Sequence, residues 1–192
     1  MNELAPPGAG LPRIELAVAR LLLGVARKRG NVEAFSAKFA SELQVIRQLV
    51  RDVDPAAGER LVLIPRLRGM EDSSRHWSVW MTLEHLRIVN LAFAQIISAL
   101  AQGIVPPGEA RTADVKPRPG TTADVIAPFE DACVTYAAAV AEAERLLPGL
   151  KSTARFTHPW FGPLDAYGWH ALAGHHMAIH RAQIERILAA LS

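Results

Sequence analysis

The chain has 192 residues, 50% hydrophobic and 21% charged, with a formal net charge of +2. Those values exclude a disordered or fibrous protein, and they leave room for one well-buried domain rather than two. No dense basic stripe occurs beyond Arg27, Lys28 and Arg29, so nucleic acid is not an expected partner. The single Cys133 cannot close an internal disulfide and suits a reducing compartment, which makes a cytoplasmic location the expectation.

Residues 1–11 include "APPGAGL", have little to bury, and read as a mobile lead-in. Pro12 then opens an extra N-terminal helix, 12–30, that Gly30 stops. Its apolar run is broken by Glu15 and Arg20 and is too short to span a bilayer, so no membrane is expected. The remainder, 31–192, reads as one helical bundle domain. In it, Phe35, Phe39, Leu43, Ile46, Val50 and Val53 recur at steps of three and four and mark one face of a helix. "DPAAG" ends that helix, and Pro65 and Gly69 keep "LVLIPRLRGMEDSS" an extended connector.

Ser78 is a cap for a helix over about 79–102, with Gly103 as its stop. Four prolines and three glycines between residues 103 and 120 predict a long excursion of the kind that often borders a site. Thr121 and Asp124 signal the next helix, which runs to about Leu147, and Pro128 predicts a kink or a later start. Asp165 caps the last helix, which ends near Leu191. No alternating strand pattern appears. The fold class is therefore all-α, a bundle of four long helices with a shorter one in front.

The last helix carries "HHMAIHRAQ". A four-residue step returns close to the starting direction, so His176 and His180 point the same way, on a face shared with Leu172, Ile179, Gln183 and Ile187. His85 lies on the stripe Met81, His85, Ile88, Ala92 and Ile96 of the second long helix. Three inward imidazoles on two helices supply most of a tetrahedral metal shell and leave a position for water. Packing histidines give the same spacing, so spacing by itself leaves both readings open. Met177 stands where a zincin needs its glutamate, and Glu84 directly precedes His85 where a di-iron bundle needs a three-residue offset.

Other conspicuous residues carry expectations of their own. Trp77 and Trp169 are expected to seal the core, and Trp160 to cover the mouth of a site. His158 and His175 are candidate proton carriers, with His175 on a helix flank, whereas His76 and His170 read as boundary residues. Gln183 or a backbone carbonyl is expected to orient His180. Arg66, Arg68 and Arg111 read as solvated surface residues that could also attract a substrate carboxylate, and Cys133 as a buried structural thiol.

"HWSVWMTLEHL" at 76–86, together with "HPWFGPLDAYGWHALAGHHMAIHRAQIERI" at 158–187, resembles the DinB/YfiT-like family of four-helix bundles. The resemblance covers about residues 32–190. It implies a divalent metal, Zn, Ni, Fe, Co or Mn, held by His85, His176 and His180, with Gln183 as the glutamine that follows the pair. It further implies a metal-dependent enzyme acting on a small-molecule substrate, by thiol transfer with a low-molecular-weight thiol as cofactor, or by hydrolysis. The alternative is a noncatalytic bundle, its metal structural or absent, serving as a stress-response or small-ligand binding module. A homodimer is the expected assembly, because the extra helix has an apolar face to cover.

Overall fold

Four polar side chains set where helices begin. Asn31 accepts the Ala34 N–H at the start of α2 (Val32–Val50), and Asp54 accepts from Ala57 at the short α3 (Pro55–Glu59). Ser78 does so from Met81 at α4 (Val79–Ala101), and Asp165 from Gly168 at α6 (Ala166–Leu191). Each cap satisfies an N–H that the first helical turn leaves unpaired. The computed structural model describes residues 4–192. Its remaining helices are α1 (Arg13–Arg29) and α5 (Ile126–Leu146). In α5, Pro128 falls within the first turn, where its missing N–H breaks no hydrogen bond, so the sequence-based alternative of a later start is the one realised. A 3₁₀ turn, Ala123–Val125, leads into it.

The bundle is α2, α4, α5 and α6, with α4 packed on α5 and α6, and α2 on α6. Phe39 lies on Tyr136 with ring centroids 4.3 Å apart, and Phe93 meets Trp169 edge-on at 5.2 Å. Leu83, Leu86, Ile97, Ile184 and Ile187 are fully buried between these helices. Helix α4 is long and apolar enough to cross a membrane by composition, yet here it runs through the middle of the core. Gly174 lets α2 approach α6: a Cβ there would lie 2.9 Å from Lys38 Cγ and 3.1 Å from the Phe39 nitrogen.

Two small hairpins lie outside the sequence expectation. Strand β1 (Val62–Leu63) pairs antiparallel with β2 (His76–Trp77), and β3 (Phe156–His158) with β4 (Gly162–Leu164). Two or three residues cannot display a period of two, which is why no alternation marks them. The first hairpin closes the connector onto the start of α4, and the second leads into α6.

Helix α1 is attached mainly by polar contacts. Glu15 pairs with Arg66 and accepts the Gly69 N–H; Arg20 Nε donates to the Trp160 carbonyl at 2.7 Å; Arg27 meets Asp165 at 2.8 Å. On this helix only Leu23 is buried, while Ile14 is 83% exposed and Leu21 66%. Of the segment read as a mobile lead-in, residues 1–3 lie outside the described residues. Beyond them, Ala5 donates its N–H to Asp72, and Gly8 and Gly10 donate theirs to Glu71, so this stretch is fastened to the connector at residues 71–72.

Candidate metal centre

His85 sits in the second turn of α4, and His176 and His180 one turn apart on α6. The helices bring the three rings together, with centroids 5.0 Å apart for His85 and His176, 4.4 Å for His85 and His180, and 4.6 Å for His176 and His180. One ring nitrogen from each lies within 4.8 Å of the other two. Trp77 is buried behind them, its ring 5.1 Å from that of His85 and stacked 6.0 Å from that of His180.

Hydrogen bonds determine which nitrogens carry protons. His85 Nδ1 lies 2.7 Å from the Val115 carbonyl oxygen, which can only accept, so Nδ1 donates and the Nε2 of the neutral ring keeps its lone pair. At His180 the argument has one more step. Gln183 Nε2 donates to the Ser74 carbonyl at 2.7 Å, which turns its Oε1 toward His180 Nδ1, also at 2.7 Å. His180 Nδ1 therefore donates as well, and its Nε2 is free. This is the orienting role expected of Gln183.

His176 completes the cluster without such a partner. Its Nε2 is 3.1 Å from His85 Nε2, while its Nδ1 is shielded from solvent and has no hydrogen-bond partner among the described residues. Burial pushes all three rings toward the neutral form. His85 and His176 lie well below the ordinary imidazole range, first by burial and then by repulsion from neighbouring imidazoles, and burial takes His180 down to about 4.

These features fit a divalent cation. Neutral imidazoles are the required ligand form, and two of the three have a fixed Nε2 lone pair. Tetrahedral Zn–N bonds of about 2.0–2.1 Å put ligand nitrogens roughly 3.3 Å apart; here His85 Nε2 and His176 Nε2 are 3.1 Å apart, and all three ligand nitrogens lie within 4.8 Å of one another. The Val115 carbonyl and the Gln183 amide hold the outer ring nitrogens, as is usual around metal-bound histidines. Among the described residues, no carboxylate or thiol joins the three histidines in the cluster. On one side the rings border a cavity of about 890 Å³.

The other sequence candidates divide clearly. Trp77 and Trp169 seal the core, and Trp160 and His158 line the cavity. His175 is exposed on the helix flank, and His76 is exposed on β2. His170, read as a boundary residue, is instead fully buried. Tyr136 donates to its Nδ1 at 2.6 Å, and its Nε2 meets the Val32 carbonyl at 3.1 Å and Ser36 Oγ at 3.2 Å. Arg66 and Arg111, candidates for a substrate carboxylate, already hold protein carboxylates, those of Glu15 and Asp114. Glu84 pairs with Arg87, away from the cluster. Cys133 is buried, its thiol pushed up to about 12 by desolvation. Sequence reasoning missed the carbonyls of Val115 and Ser74, for which no side-chain signal exists.

Similarity to known proteins agrees with this architecture. No curated protein matches the chain. Among solved structures, the crystal structure of TT2238, a four-helix bundle protein, superposes with a TM-score of 0.56 at 21% identity, over 80% of this chain and 98% of that one. Residues 39–184, which contain all three clustered histidines and Gln183, match the DinB superfamily, and the chain belongs to that family.

Proposed function

We propose that the protein is a metal-dependent enzyme acting on a small molecule, with a divalent ion held by His85, His176 and His180. The observation that carries this reading is the convergence of three neutral imidazoles, two with assigned lone pairs, on the border of a large cavity. When bound, such an ion supplies Lewis acidity, which acidifies a water or a thiol and polarises an acceptor oxygen. Hydrolysis and thiol transfer both use that chemistry.

The chain's own groups do the rest. Val115 and Gln183 hold two imidazoles in the tautomer that presents Nε2. Trp77 packs against His85 and His180, and the cavity borders all three rings. The apolar cavity wall lowers the local dielectric and strengthens any charge interaction at the rings.

Elemental analysis of protein purified without chelator or nickel resin tests the reading. About one metal per chain is expected, falling to none in His176→Ala. A metal-free wild-type chain that also fails to take up Zn²⁺, Co²⁺ or Mn²⁺ at micromolar concentration would remove the basis for it.

A further inference from the structure

The cavity beside the histidines is walled by Leu23 of α1, Val89, Phe93 and Ile96 of α4, and Phe156 and Phe161 of the second hairpin. Its charged lining groups are already matched. Glu71 and Lys116 pair at 3.2 Å, with Lys116 also donating to Ser73 and Ser74, and Arg111 pairs with Asp114 at 2.9 Å. Glu109 adds an exposed carboxylate at the rim. Each lining lysine or arginine already has a carboxylate partner.

One polar group is aimed differently. His158 Nδ1 accepts the Trp160 N–H at 3.0 Å, so the neutral ring carries its hydrogen on Nε2. No protein acceptor takes that hydrogen among the described residues, and the ring is held by Phe161 at 4.9 Å and Trp169 at 5.2 Å. Trp169 touches Phe93, which in turn lies 6.1 Å from His176, so His158 and the metal cluster share one wall.

We infer that this cavity takes an uncharged, largely apolar small molecule bearing a hydrogen-bond acceptor oxygen, which His158 Nε2–H receives beside the three histidines. This deepens the proposed function and rests on it only for the claim that the bound molecule reacts. Volume supports the size class, since pockets of about 300–1,000 Å³ enclose most of a drug-sized ligand. Away from the three histidines the wall disfavours anions, because an anion placed there would give up hydration with no unpaired lysine or arginine to replace it. His158 acts as a positioning residue.

Three naphthalenes of similar shape test the inference: 2-acetylnaphthalene, 2-ethylnaphthalene and 2-naphthoate, titrated by calorimetry into the full chain as purified and into His176→Ala. The ketone is expected to bind at least about tenfold more tightly than the carboxylate in His176→Ala, where no bound ion draws the anion. It should bind roughly two- to tenfold more tightly than the ethyl compound, and that gap should close in His158→Phe. Filling the cavity with Ala92→Trp or Ala99→Phe should weaken the ketone by about tenfold or more, read on whichever variant keeps wild-type circular dichroism.

No binding of any of the three, a carboxylate preference in His176→Ala, or a ketone preference that persists in His158→Phe would overturn the inference. Metal content is read on the same samples. A chain that binds the ketone as expected but neither holds metal nor takes up Zn²⁺, Co²⁺ or Mn²⁺ sinks the proposed function and leaves this inference standing; bound metal with no ketone binding does the reverse.

Discussion

Helix α6 carries two buried histidine environments that are built to opposite rules. Around His170, every ring nitrogen has a protein partner: the Tyr136 hydroxyl on one side, the Val32 carbonyl and Ser36 on the other. Around His176, reached less than two turns later, one nitrogen has no partner among the described residues and the other faces a lone pair of His85. The first arrangement is complete as it stands and stabilises the contact between α2, α5 and α6. In the second, a neutral His176 can donate Nε2–H to the His85 Nε2 lone pair, but its Nδ1 is left over among the described residues. A buried imidazole is therefore read as ligand or as packing by asking which of its nitrogens is left over.

Substitution should separate the two sites most sharply. His176→Ala is expected to abolish metal binding with a modest change in fold stability, whereas His170→Ala should keep the metal and lose about 2–4 kcal/mol through a cavity and an unpaired Tyr136 hydroxyl. Metal content and urea unfolding, measured on both variants, would show the division, and loss of metal in both would erase it. A smaller effect is expected at the outer partner. Gln183→Leu removes the acceptor that orients His180 and should weaken metal affinity by about 10–100-fold, measured by chelator competition.

Gly174 lies between the two environments. Gly174→Val forces a side chain into Lys38 and the Phe39 backbone, and a cost of about 1–3 kcal/mol is expected in the thermal midpoint. Titration gives a check of sign. His180 and His158 are held at about 4, below the unfolded imidazole range, so between pH 6.5 and 4 the unfolded chain binds more protons than the folded one. Stability of the metal-free protein is thus fully present above about pH 6.5 and falls as the pH drops toward 4. Urea midpoints across that range check the sign; a midpoint that rises on acidification would contradict it.

Much of this contrast was legible in the residues themselves. The four-residue step from His176 to His180, and the apolar stripe through His85, suffice to place three rings on facing helices. Periodicity likewise gave the four long helices, and Ser78 and Asp165 gave two of their starts. His170 was misread because it stands near the beginning of α6, and its burial is set by Tyr136 and Ser36, which are distant in sequence. The hairpins were too short to show a period, and α3 is a single capped turn that "DPAAG" signals only as a break. The tie between residues 5–10 and the carboxylates of Glu71 and Asp72 uses backbone N–H groups, which no side-chain pattern announces.

The Val115 carbonyl has a practical consequence for anyone reshaping this protein. Residues 103–120 look like ornament: rich in proline and glycine, outside the bundle, and an obvious stretch to trim or exchange. Yet the oxygen that fixes the His85 ring belongs to that stretch. A shortened graft would leave all three histidines in place and still unlatch one of them, so the transplantable unit is the helices together with their least regular loop.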